Sequence, residues 1–189
     1  PDVATGPSAN PIQYAVMGES LNLDPIMEAW EAEDSPILTE IEDYMWEFYQ
    51  YNGSQYGIPF GIDPKQILYR SDFFEEAGIT ELPTTYDEFI ETAQALQEYF
   101  PDKVPVLMAA GDQSGGHTAC VLAATNNAGF TTADLQADML SQANVEIYEF
   151  LKTLVDNNLV AAGSAGYLDA DQQRIWLAGE ACILIGHSG

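Results

Sequence analysis

Residues 85–108 run from a helix pattern straight into a strand pattern, and this succession limits the possible folds more than any other stretch. Thr85 and Glu88 have the spacing of a capping box, which predicts that a helix begins there. Apolar residues then recur on one helical face as far as Phe100, and Pro101 marks the end of the helix. The segment 104–108 follows as a short apolar strand. Alternation of helix and strand predicts an α/β architecture.

The same alternation continues on both sides of this segment. Asn52-Gly53 stands between two aromatic arms and accepts positive φ at low cost, so it predicts a tight hairpin. Ser71 and Asp169 are expected to cap short helices. The other predicted elements are a strand from Val3, helices over 12–18, 71–78, from about His117, over 145–159 and from Asp169, and a strand over 181–185.

Charge narrows the class of partner. Thirty carboxylates face five cations in 189 residues, and the net charge of −25 argues against nucleic acid and anionic membranes. A neutral or cationic partner is favoured. The length predicts one domain, or one and a part, and no apolar run approaches the roughly 20 residues needed to cross a bilayer. The acidity fits a saline or extracellular setting and an ordinary solubilising surface equally well.

The last seven residues, ILIGHSG, resemble the start of a G-x-S-x-G nucleophile elbow. An α/β-hydrolase places its acid and its histidine after the serine, and only Gly189 follows Ser188 here. His117 lies upstream, in the wrong order for that fold, although an unrelated triad is not excluded by order. An esterase fragment that uses Ser188 therefore stays an alternative to a binding function.

No metal or cofactor site is predicted. The calcium-loop spacing that begins at Asp169 has Arg174 at the position where such a loop needs glycine. The two histidines are seventy residues apart and lack a third ligand, which gives zinc little support. Cys120 and Cys182 both lie in apolar surroundings, and buried free thiols are favoured over a disulfide.

The glycine-rich segment 111–116, GDQSGG, leads from a predicted strand into a helix. It lacks the G-K-[ST] ending of a phosphate loop, and its local charge is negative. It is either a flexible turn or a loop that offers backbone N–H groups, an amide and a hydroxyl to a neutral polar ligand. The abundance of tyrosine suits sugar recognition, because sugar rings stack on aromatic rings.

Four stretches in fixed order carry a family resemblance. They are GPSANP with YAVMGESLNLD, NGSQYGIPFGIDPKQILYRSDFFEEAGI, LPTTYDEFIETAQAL and WLAGEACILIGHSG. Together they resemble the extracellular solute-binding proteins of ABC transporters, in the carbohydrate-binding family related to maltose-binding protein. The second stretch is the most specific, and the resemblance covers nearly the whole chain.

The resemblance implies a partial, two-lobed α/β fold of the periplasmic-binding-protein-like type II class. Residues 1–62 would be part of the first lobe, 63–65 the interlobe crossing and 66–189 most of the second lobe. Gly61, Ile62 and Asp63 would form the hinge by which such proteins close over a ligand. The chain would then be the middle of a longer protein.

The resemblance also implies a set of ligand-binding residues, carried over by position in the motifs. These are Ser8, Asn10, Asp63, Gln113, Ser114, Gly115, His117, His187 and Ser188. Gly189 stands where the family often has a tryptophan that stacks on sugar, so an aromatic platform is not expected at that position.

The implied ligand is a mono- or oligosaccharide, bound without chemistry and without a cofactor. The implied partners are the permease subunits of an ABC importer, and the protein is expected to be a monomer. It would lie in the periplasm or be lipid-anchored at the cell surface. A polyamine or another small solute on the same fold suits the charge of −25, and a surface adhesion module without a small ligand is a third possibility.

Overall fold

The structure is a computed structural model, and it describes residues 2–6, 9–112, 114–134 and 136–187, without the side chain of residue 187. The chain forms two compact units, Pro1–Ile62 and Asp63–Gly189. Within the described ranges, no helix is both long enough and apolar enough to cross a membrane.

The first unit consists of short helices and a hairpin: α1 Asn10–Met17, α2 Asp24–Ala32, α3 Ile37–Glu40, α4 Asp43–Glu47, β1 Gln50–Tyr51 and β2 Ser54–Gln55. The predicted hairpin is confirmed, and both turn residues, Asn52 and Gly53, have positive φ. Gly18 ends α1 with φ 75°, as the sequence predicts. The prediction of a strand from Val3 was wrong: residues 2–6 form no strand, and Val3 is 86% exposed.

One buried amide ties the hairpin to the helices of this unit. The Gln55 side chain donates from Nε2 to the carbonyls of Trp46 and Gly57, and the Gln55 backbone N–H donates to Asp24 Oδ1. Gln55 therefore joins the hairpin to α2 through Asp24 and to α4 through Trp46, and its buried amide donates to two carbonyls.

The second unit holds a three-stranded sheet and five helices within its described residues. Its elements are β3 Lys65–Tyr69, α5 Ser71–Glu76, α6 Tyr86–Tyr99, β4 Val104–Met108, α7 Ser114–Thr125, α8 Gln142–Asp156, the 3-10 turn Ser164–Gly166, α9 Asp169–Leu177 and β5 Ala181–His187. The strand order is β3-β5-β4, with β5 antiparallel to β3 and parallel to β4. The α/β class is therefore confirmed.

Helices cover both faces of this sheet. Val106 and Ile183 pack on one face against α6, α7 and α8, where Leu96, Leu122 and Leu154 are fully buried. Leu107 and Leu184 face the other way and pack against Ile175 of α9. Neighbouring side chains of β4 point to opposite faces of the sheet, because a strand has a period of two residues.

Three helix starts differ from the prediction. Ser71 lies inside α5, and the N-cap is Arg70, whose guanidinium pairs with Asp72 in the first turn. Asp169 is the first residue of α9 and does not cap it. Helix α7 begins at Ser114, three residues before His117, and Gly115 in its first turn lies close to the backbone of Ala110, just after β4.

The cysteines also differ from each other in burial. Cys182 is fully buried in β5, as predicted, and Cys120 is exposed on α7. Both are free thiols. The prediction for Cys120 was wrong because α7 turns Thr118, Val121 and Leu122 toward the core and leaves Cys120 on the opposite side.

Candidate functional site

The strands of the second unit bring several polar segments to one end of the sheet. Strands β4 and β5 are parallel, so their carboxyl ends meet there, and β3 begins there because Lys65 pairs with His187. Helix α9 also starts at this end of the sheet, and it runs to the opposite end, where β5 begins. We call this end the polar edge; it comprises residues 63–65, 109–112, 114–117, 163–172 and 186–187.

The starts of α7 and α9 are joined at the polar edge. The backbone N–H of Asp169 donates to Ser114 Oγ at 3.0 Å, and Asp169 Oδ2 lies 2.9 Å from His117 Nδ1. Ser114 is buried, while the side chains of His117 and Asp169 keep about a third and a quarter of their exposure. No local pattern predicts this contact, because 52 residues separate His117 from Asp169.

The loop between β4 and α7 is held on both sides. The N–H groups of Ala110 and Gly111 donate to the carbonyls of Ser164 and Tyr167 at 2.9 Å, and Thr118 Oγ1 donates to the Ala109 carbonyl. A Cβ at Gly111 would lie 2.9 Å from two carbonyl oxygens, so glycine is required there. The described part of this loop is therefore not a flexible turn, and its contacts with a polar ligand stay a prediction.

Gln172 fixes the carboxyl end of β5 and, like Asp169, was not predicted from the sequence to contribute to this site. The buried side chain of Gln172 donates from Nε2 to the Ile185 carbonyl at 2.8 Å. On the neighbouring strand, Lys65 Nζ pairs with Asp63 Oδ2. The Gln172 contact and the pairing of Lys65 with His187 set where the backbone of His187 lies.

The structure gathers some of the predicted ligand-binding residues. Ser114, Gly115 and His117 lie together at the start of α7, and the backbone of His187 lies at the same edge. Asp63 pairs with Lys65 beside them. Their contacts with a ligand stay a prediction.

The other predicted residues lie elsewhere or outside the described ranges. Asn10 begins α1 in the first unit, where its amide group lies over Gly6. Gly61 and Ile62 are exposed in coil at the end of that unit. Ser8, Gln113 and Ser188 lie outside the described residues, as does the side chain of His187.

The polar edge offers hydrogen-bonding groups and not a metal cage. Among the residues that the structure describes, no three His, Cys, Asp or Glu side chains are grouped so as to hold a metal ion. Imidazole and carboxylate groups of this kind can exchange hydrogen bonds with a polar ligand.

The family comparison covers the whole chain. Residues 1–189 match the family model described as bacterial extracellular solute-binding protein. The chain belongs to this family. The resemblance identified from the motifs is thereby confirmed, and the family is one of solute-binding proteins and not of enzymes.

Solved structures agree with this assignment. The sugar transporter from Arthrobacter chlorophenolicus A6 with bound laminaribiose has a TM-score of 0.85 at 23% identity over 98% of this chain. The maltose-bound MalE3 of T. maritima has a TM-score of 0.76 at 19% identity over 89%. Identities this low establish a shared fold, which is the type II periplasmic binding protein fold in part.

A curated relative matches a shorter stretch. The erythritol/L-threitol-binding protein of Mycolicibacterium smegmatis is 36% identical over 52 residues, which is 25% of this chain. The chain spans 46% and 42% of the two solved structures and 11% of this relative.

Proposed function

We propose that this solute-binding protein takes up a neutral mono- or oligosaccharide, or a related polyol, and delivers it to the permease subunits of an ABC importer. It does so outside the cytoplasmic membrane, as a monomer and without chemistry. The family assignment supports a binding role. The relatives bound to laminaribiose and maltose, and the one named for erythritol and L-threitol, support a polyhydroxylated ligand.

The polar edge is the observation that carries this proposal. Open α/β sheets bind their ligands outside the carboxyl ends of the strands, where helices begin. At that end of β4 and β5 this chain presents His117, Asp169 and the first turn of α7. Such groups both donate and accept hydrogen bonds, as sugar hydroxyls require, and the net charge of −25 disfavours an anionic ligand.

The roles carried over from the family belong to the same proposal. We assign the two units to parts of the two lobes, with 63–65 as the crossing and Gly61, Ile62 and Asp63 as the hinge. The ligand-binding residues we propose are Ser8, Asn10, Asp63, Gln113, Ser114, Gly115, His117, His187 and Ser188.

Calorimetric titration of the intact protein tests the proposal. The panel is laminaribiose, maltose, ribitol and spermidine, and we expect binding of at least one carbohydrate or polyol that weakens at least about tenfold in His117→Ala. Glu98→Ala is the control, since Glu98 is exposed near the end of α6, which leads to the opposite end of the sheet. Tight spermidine binding with no carbohydrate bound would replace the proposal by the polyamine alternative.

The esterase alternative has its own assay. We expect no hydrolysis of p-nitrophenyl acetate above the buffer rate. Hydrolysis that disappears in Ser188→Ala would contradict a function without chemistry.

A further inference from the structure

We propose that Asp169 is a positioning residue: it fixes the ring of His117 and thereby sets the affinity of the polar edge for its ligand. This inference rests on the proposed function and deepens it. It gives a role to a residue whose sequence pattern suggests only a helix cap or part of a calcium loop.

Asp169 makes two contacts that together anchor it. Its backbone N–H donates to Ser114 Oγ at 3.0 Å, and Ser114 is only 3% exposed, so the main chain of Asp169 is fixed against α7. Its carboxylate Oδ2 lies 2.9 Å from His117 Nδ1. The imidazole is therefore held from α9 by a residue that is itself anchored to the helix bearing His117.

The carboxylate contact selects one tautomer of the ring. An ionised carboxylate only accepts hydrogen bonds, so the proton of neutral His117 lies on Nδ1 and donates to Asp169. The Nε2 atom is then an acceptor, as it is in other proteins where a carboxylate orients a histidine. An acceptor at Nε2 suits a group that donates, such as a sugar hydroxyl, so the contact with Asp169 sets which kind of hydrogen bond the ring can make.

The contact between Asp169 and His117 could serve only to join α7 to α9, without any effect on ligand binding. A control variant on the same turn of α9 distinguishes this structural role from the positioning role. Asp171 Oδ2 accepts from the Leu168 N–H at 3.2 Å, so its carboxylate serves the start of α9 locally. Asp171→Ala removes the same charge from the same turn and leaves the contact between Asp169 and His117 in place.

The binding test compares three variants of the intact protein against laminaribiose, maltose and ribitol by calorimetry. We expect Asp169→Ala to weaken binding at least about tenfold, while Asp171→Ala stays within about twofold of wild type. Asp169→Asn should recover most of the affinity, because its amide oxygen still accepts from Nδ1. Thermal unfolding of each variant shows whether the lost affinity is separate from lost stability.

The tautomer is measured independently by ¹⁵N NMR of the imidazole groups. The chain has two histidines, so His187→Gln leaves one imidazole, whose two ring nitrogens are assigned to His117. We expect the proton on Nδ1 in wild type and loss of that preference in Asp169→Ala.

The outcomes separate the inference from the function on which it rests. A carbohydrate that binds wild type and Asp169→Ala equally, or a wild-type His117 with its proton on Nε2, overturns the inference and leaves the proposed function standing. Absence of binding to every carbohydrate and polyol overturns the proposed function, and the role of Asp169 in ligand affinity with it.

Discussion

The amide of Gln172 occupies the space that a side chain at Gly186 would need. A Cβ at Gly186 would lie 2.6 Å from Gln172 Oε1 and 2.9 Å from Nε2. Gln172 is 2% exposed and donates to the Ile185 carbonyl, so it has little room to move aside. Two residues on different elements thus fix the end of β5 at the polar edge.

The first prediction follows from this contact. Gly186→Ala is expected to lower the free energy of unfolding by about 1–3 kcal/mol, because the methyl group forces Gln172 off its carbonyl. Urea unfolding measures the change. Gly116→Ala is the matched control: nothing lies within 4 Å of its Cβ position in α7, and it should be neutral or slightly stabilising. Equal stability of Gly186→Ala and wild type would contradict the account of this contact.

The second prediction concerns the start of α6. Thr85 Oγ1 accepts the Glu88 N–H at 3.2 Å, and Glu88 Oε2 accepts the Thr85 N–H. Thr85→Ala should therefore cost about 1 kcal/mol of unfolding free energy. Thr85→Ser keeps the accepting oxygen and should cost clearly less. Chemical denaturation checks both, and equal losses in the two variants would show that the hydroxyl is not responsible.

The third prediction is a pH effect in the first unit. The Gln55 N–H, followed by the Ser54 hydroxyl, holds the pKa of Asp24 below its ordinary value of 3.8. A carboxyl with a lowered folded-state pKa contributes stability that is complete above the unfolded value and is lost as pH falls through the folded value. Carboxyl ¹³C NMR should give a midpoint below 3.8, and Asp24→Asn should remove this contribution. A midpoint at or above 3.8 would rule it out.

The fourth prediction distinguishes the two thiols. Cys182 is fully buried, and burial raises its pKa to about 11, whereas Cys120 is exposed. Since the thiolate is the reactive species, a disulfide reagent should modify one thiol per chain in the native protein and two after denaturation. Cys120→Ser should abolish the native reaction. Modification of two thiols in the native protein would contradict the buried position of Cys182.

The fifth prediction concerns salt. The chain carries a net charge of −25. Among the described residues, cations pair with a carboxylate within four positions of them: Lys65 with Asp63, Arg70 with Asp72 and Lys152 with Asp156. The many remaining carboxylates on the surface therefore repel one another. Raising the salt concentration from 0.1 to 1 M shortens the screening length from about 10 to about 3 Å, and Tm should rise.

Sodium chloride is the salt to use in this measurement, because sulfate also strengthens apolar burial. A Tm that is unchanged or lower in 1 M sodium chloride would show that self-repulsion is not a major cost in the folded state.

Local patterns determined much of the fold in advance. The capping box at Thr85, the turn at Asn52-Gly53 and the stop at Gly18 are each set by residues within a few positions of one another. Helical periodicity and short apolar runs likewise placed α6, β4 and β5. The ordered motifs determined the family, because a family pattern is itself a property of the sequence.

Tertiary structure alone decided how the polar edge is built. The contact between His117 and Asp169 spans 52 residues, and it exists because β4 and β5 are parallel neighbours whose helices start at the same end. The burial of Gln172 against Gly186 and the exposure of Cys120 depend on the same packing. Sequence reasoning works through neighbours along the chain, whereas these contacts arise from strand order and from the side of each helix that meets the sheet.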